Sequence, residues 1–150
     1  GLVPVLVNAQ LDGSVEISSD MNVRGIATSG MDGRSFSFGI ADAVTVLAAS
    51  AASADAAATL IANAVDADHP AIERAPASSL DPDSDLGDRL VTVNRGELPL
   101  ETIDAALSQG EAFARDLIER RLIDAAFLSC VGHIRIAGNN YTRTIETFLS

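Results

Sequence analysis

The stretch from Ile40 to Val65 constrains this chain more than any other. Asp42–Ala48 (DAVTVLA) is β-branched and apolar on both faces, the pattern of a central strand covered on both sides. An alanine-rich segment follows at once. It predicts a helix starting near Ser53 and running to about Val65, with Ser53 as the N-cap and Asp55 in the first turn, where the helix dipole favours a negative charge. Polar residues Asp42, Ser50, Ser53, Asp55, Thr59 and Asn63 interrupt the stretch. No apolar run therefore reaches the roughly 18–20 residues of a spanning helix, and the segment reads as packed interior, not membrane.

The remaining elements arrange themselves around this unit. Leu2–Val7 surrounds Pro4 and suits an edge strand or extended arm. The turn at Asp12-Gly13 leads into a short strand, Ser14–Ile17, and a further strand is expected over Asn22–Ile26. Residues 66–88 carry Pro70, Pro76 and Pro82 among many Asp and Ser and read as a long acidic loop, followed by a strand over Arg89–Asn94. Leu100–Arg121 repeats apolar residues at helical spacing, and Ala125–Ser129 with His133–Ile136 suggests a terminal hairpin. The order β-β-β-α-β-α-β-β fits an α+β domain. With 150 residues, 47% of them apolar, one domain spanning 1–150 is the expectation.

Charge removes some function classes. The net charge is −11 and all ten basic residues are arginines. Nothing in the sequence forms a basic patch, which argues against nucleic acid. The single cysteine, Cys130, excludes an intrachain disulfide or a cysteine metal cluster, and its apolar neighbours suggest an inert buried thiol. The chain begins with Gly1 rather than Met, so a processed, split or trimmed N-terminus stays open. No signal or lipidation motif is seen, and a cytoplasmic setting is expected.

Two places can carry chemistry. Asp55, Thr59 and Asn63 are spaced four apart and share one face of an otherwise apolar helix. A carboxylate buried there needs a cation or arginine, and hard cations such as Mg²⁺ take oxygen ligands. Alternatively, Asp55 supports the helix start and Thr59 bonds back to the helix. The second place is the glycine-flanked loop Ala27–Ser35 (ATSGMDGRS), which offers hydroxyls, backbone N–H groups and the Arg34 guanidinium. Weaker candidates are the acidic run Asp81–Asp88, which departs from an EF-hand at Leu86 and Thr92, and the isolated His69 and His133.

These motifs together resemble a known family. Arg24–Val65 (RGIATSGMDGRSFSFGIADAVTVLAASAASADAAATLIANAV) is similar to the C-terminal core of ApbE-like proteins: a strand runs into a TSG loop, and an A-D-A-x-A-T helix follows a V-T-V strand. The closest likeness is to a bacterial and archaeal branch of that superfamily, shared by Arg74–Asn94, and it extends from about Gly1 to Gly138. The resemblance implies a T-fold-related mixed sheet with two main helices, the N-terminal half of the domain lying outside this chain. For the flavin transferases of the family it implies FAD, Mg²⁺ and transfer of FMN to a protein threonine. The metal-binding Asp and Thr fall on Asp55 and Thr59, and the loop threonine falls on Thr28 near the flavin, with Gly30 and Arg34 beside it. Two features depart from that pattern. Ser35–Asp42 holds neither the transferase histidine nor its D-P pair, and the G-G-D-I motif of the N-terminal half has no counterpart in Asn8–Asp12.

Three functions are therefore expected. The first is a small-ligand or flavin-nucleotide site with a divalent cation at Asp55 and Thr59. The second is a hydrolase of a small amide or ester whose nucleophile is Thr28, Ser29, Ser35 or Ser37. The third is a non-catalytic half that completes a partner chain.

Overall fold

The computed structural model describes residues 2–8, 13–18, 22–32 and 35–138. β1 (Leu2–Asn8) and β2 (Gly13–Ser18) form an antiparallel hairpin. The Asp12-Gly13 turn expected between them lies partly outside the described residues. β3 (Gly25–Ser29) and β4 (Ala43–Ala48) are followed by the helix α1 (Ala51–Ala64). Then come β5 (Glu73–Pro76), the single-turn helix α2 (Ala77–Leu80), β6 (Leu90–Asn94), the long helix α3 (Leu100–Glu119), β7 (Ala125–Cys130) and β8 (His133–Ala137).

The fold is α+β, with two main helices. β3, β4, β7 and β8 make a four-stranded sheet in the order β3-β4-β7-β8, and β5 pairs with β6. The mixed sheet expected from the sequence is not found, since every described pairing is antiparallel. Helices lie on one face of the sheet. Val44, Val46, Ala126 and Leu128 meet Ala54, Ala58 and Ile61 of α1 and Leu107 and Ala114 of α3 in one core. All six residues of β4 are buried, as its two-sided apolar pattern requires, and β1 also contacts β4.

Small residues set the spacing of the layers. Gly110 lies mid-way along α3, where a Cβ would sit 2.2 Å from Val65 Cγ2 and 2.8 Å from Leu128 Cδ2. Glycine lets α3 approach both the end of α1 and the sheet.

Several boundaries differ from the sequence reading. The N-cap of α1 is Ser50, whose side chain accepts from the Ser53 N–H at 3.1 Å, so Ser53 is inside the helix and Asp55 is beyond its first turn. The strand expected over Asn22–Ile26 runs instead from Gly25 to Ser29. The 66–88 loop is interrupted by β5 and α2. Pro76 is compatible with both, as the last residue of a two-stranded ribbon and the residue that opens α2.

Candidate functional site

The segment after β3 forms a loop with a closed neck. Gly30 has φ +134°, and a Cβ there would lie 2.5 Å from the Asp42 carbonyl. Met31 N–H donates to Ala41 O and Asp32 N–H donates to Asp42 O, which holds the two ends of the loop side by side. The glycine expected to approach a ligand is thus buried against the returning chain. Arg34, the expected phosphate or carboxylate ligand, lies outside the described residues.

Beyond the neck, residues 36–40 are fixed between α1 and the β5–β6 ribbon. Phe38 N–H donates to Asn63 Oδ1 (3.2 Å), Ile40 N–H to Val65 O (2.8 Å), and Thr92 N–H to Ser37 O (2.9 Å). Arg74 ties the assembly together. One of its terminal nitrogens donates to Phe38 O and to Thr92 Oγ1, and the other to Asp66 Oδ1 (2.6 Å) and Ala67 O. The Arg89 guanidinium stacks on the Phe38 ring at 4.3 Å from its centroid, an attractive cation–π geometry.

Between these elements opens a cleft of about 490 Å³. Ser35, Phe36 and Phe38 line it from the loop, Thr59 and Asn63 from α1, and Asp81, Ser84, Asp85 and Leu86 from the acidic segment. That segment is held in shape by its own contacts: Ser78 N–H donates to Gly87 O, Ser78 Oγ to Asp88 Oδ1, and Asp83 N–H to Asp81 Oδ1.

The expected site residues divide between places. Thr59, Asn63 and Ser35 meet in the cleft, where the acidic run joins them. Asp55 and Thr59 are exposed, so the carboxylate is not buried among apolar neighbours. Thr59 Oγ1 donates to Asp55 O at 3.1 Å, the back-bond weighed against a metal role. Its lone pairs still accept or ligate, so the oxygen chemistry at this helix face suits a hard cation. The number of donors does not complete a site, because the described residues contain no group of three or more His, Cys, Asp or Glu able to hold a metal.

The candidate nucleophiles are not gathered. Thr28 is exposed on the sheet and its Oγ1 shares a 2.8 Å hydrogen bond with Thr45 Oγ1, its cross-strand partner. Ser29 is half-buried at the end of β3. Ser37 is buried, and its Oγ accepts the Gly39 N–H, an internal turn contact. Among the described residues, no carboxylate or imidazole is hydrogen-bonded to any of these hydroxyls. His69 Nδ1 instead accepts the Ala71 N–H, and His133 starts β8.

Three side chains that the sequence did not bring together meet below the loop neck. Asp42 is an ion-pair partner of Arg95, whose Nη1 also donates to Ile40 O at 2.9 Å. The Cys130 thiol donates to the same carbonyl at 3.3 Å and is fully buried. Burial pushes the thiol up to about 11; Arg95 works against the rise and Asp42 adds to it. No local pattern announced this group, since Asp42, Arg95 and Cys130 come from three distant segments. The aromatic wall of Phe36 and Phe38 was likewise missed. Its only sequence signal was a pair of phenylalanines two apart next to glycine.

An α+β chain with a cleft between a loop, a helix and an acidic segment is the class of protein that fold and site define. The family model described as "AbpE bacteria" matches residues 2–136, and the chain belongs to that family. No curated protein matches the chain. No solved structure matches it either. No helix among the described residues is long and apolar enough to cross a membrane.

Proposed function

We propose that this chain is the C-terminal part of an ApbE-like domain and that its cleft binds a nucleotide, FAD in the first instance, together with a divalent cation. The observation that carries this reading is the convergence on one cleft of residues from separate sequence motifs. Ser35 and Phe36 follow the TSG loop, and Thr59 and Asn63 belong to the A-D-A-x-A-T helix. Mg²⁺, when bound, would neutralise phosphate charge and polarise a phosphoryl oxygen. Thr59 and Asp55 would hold it from α1, with the remaining oxygen ligands coming from phosphate, water and a second chain carrying the N-terminal half. This chain's own residues orient the ligand. Asn63 and Arg74 fix the loop, and the neck at Gly30 fixes its entry angle. A cytoplasmic setting is part of the same proposal.

Binding is separate from transfer here. Ser35–Asp42 offers no histidine to assist a transfer step. Titrating the 150-residue chain with FAD by calorimetry, with and without Mg²⁺, tests the proposal. The expected result is binding that strengthens with Mg²⁺ and loses that dependence in Thr59→Val. Absence of binding in both titrations, with no release of FMN and AMP detected by mass spectrometry, would sink it.

A further inference from the structure

We infer that the Phe36–Phe38 side of the cleft seats a planar nitrogen heterocycle, with Phe38 as the stacking wall, while the phosphates lie towards Thr59 and the cation. The inference rests on the nucleotide reading and specifies which end of the ligand this side of the cleft takes. Electrostatics makes the first cut. The acidic segment that lines the cleft with the two phenylalanines carries Asp81 and Asp85, both exposed, and the Ser84 hydroxyl. Carboxylates only accept hydrogen bonds when ionised, so this segment repels a bare phosphate and favours a group that donates. Ring N–H and exocyclic amino groups of a purine or an isoalloxazine are such donors.

Shape makes the second cut. Two aromatic side chains on one wall suit a flat ring better than a flexible chain, because rings stack face to face or edge to face. Phe36, 37% exposed, lines the same cleft as Phe38 and leaves its side chain open to a ligand. Phe38 is held at three points. Its carbonyl is fixed by Arg74, its N–H by Asn63, and its ring by Arg89. A wall fixed at backbone and ring loses little freedom when a ligand stacks on it, which raises affinity without added contact.

The chain has no tryptophan and one tyrosine, so Phe38→Trp introduces a single, selectively excited tryptophan at the proposed wall. FAD, riboflavin and adenosine are the ring-bearing probes; pyrophosphate and ribose 5-phosphate are the ring-free ones. The expected result is that at least one of riboflavin and adenosine quenches the tryptophan while the ring-free probes do not. Which of them quenches identifies the ring that the cleft takes. Phe38→Leu should weaken FAD binding about tenfold or more, and Phe38→Tyr should restore it, circular dichroism confirming that each variant is folded. Unchanged FAD affinity in folded Phe38→Leu, or equal quenching by pyrophosphate, overturns the inference and leaves the nucleotide reading standing. Failure of wild-type chain to bind FAD with Mg²⁺ overturns the nucleotide reading, and this inference with it.

Discussion

Cys130 has no exposed surface and its neutral form is favoured by burial, with the titration moved up to about 11. In the unfolded chain a thiol titrates at about 8.5. Between these values the unfolded state sheds the proton more readily than the native state, so this group's contribution is fully present below about pH 8.5 and is lost as pH rises towards about 11. Chemical unfolding at stepped pH should therefore show stability falling over that window, and Cys130→Ala should flatten the fall. At neutral pH a thiol reagent should label the native chain only as fast as the chain opens. The burial of this thiol was legible in the sequence from Phe127 and Leu128 beside it. Exposure of Asp55 was not, because a stripe on an apolar helix is buried or open according to what packs over it. Among the described residues Asp55 and Thr59 stay exposed, and the cleft opens at Thr59 and Asn63 further along the same face.

At the scale of elements, Gly110 allows a test in which propensity and packing disagree. Glycine within a helix costs about 1 kcal/mol relative to alanine, so Gly110→Ala should stabilise an isolated α3. In the folded chain the added methyl meets Val65 Cγ2 at 2.2 Å and Leu128 Cδ2 at 2.8 Å, and both residues are fully buried. Overpacking of that kind costs about 1–3 kcal/mol, so packing wins. The variant should melt several degrees lower, as measured by circular dichroism. The same competition explains which elements were legible. α3 was readable because its apolar residues recur at one period, and β4 because it is apolar on both faces. β5 was not, because it is short and ends in Pro76, and its partner β6 lies beyond a full acidic segment. The start of α1 was misplaced because Ser50 and Ser53 are both good caps, and only their mutual hydrogen bond settles the choice.

The whole molecule carries 21 acidic residues against ten arginines. Its exposed helical ion pairs, Arg115–Glu111 and Arg120–Asp116, are i,i+4 contacts worth roughly 0.3–0.5 kcal/mol each. General repulsion among the acids outweighs what salt removes from those pairs. Raising potassium chloride from about 0.05 to about 0.5 M shortens the Debye length to a few ångströms and should raise the melting temperature; a fall would mean the ion pairs dominate. Fold class was legible at this scale, since few layer arrangements bury two helices on a sheet. The antiparallel order was not, because the partner of β4 is decided by residues far along the chain. The cleft was legible only in halves: its α1 and loop sides carried motifs, while its acidic side resembled an ordinary solvated loop.

β4 lies between β3 and β7, and its Ala43–Leu47 stretch pairs with Ser129–Ala125 near the other end of the chain. Such a pairing rewards the chain only after a long loop has closed, which slows folding. On the ribosome, β3, β4 and α1 emerge well before β7, at about 5–20 residues per second. Until β7 arrives, one edge of the most apolar strand has no partner. A nascent chain therefore spends several seconds as a ready target for chaperones or for another nascent copy, and the partner of Asp42, Arg95, is made before β7 completes the sheet.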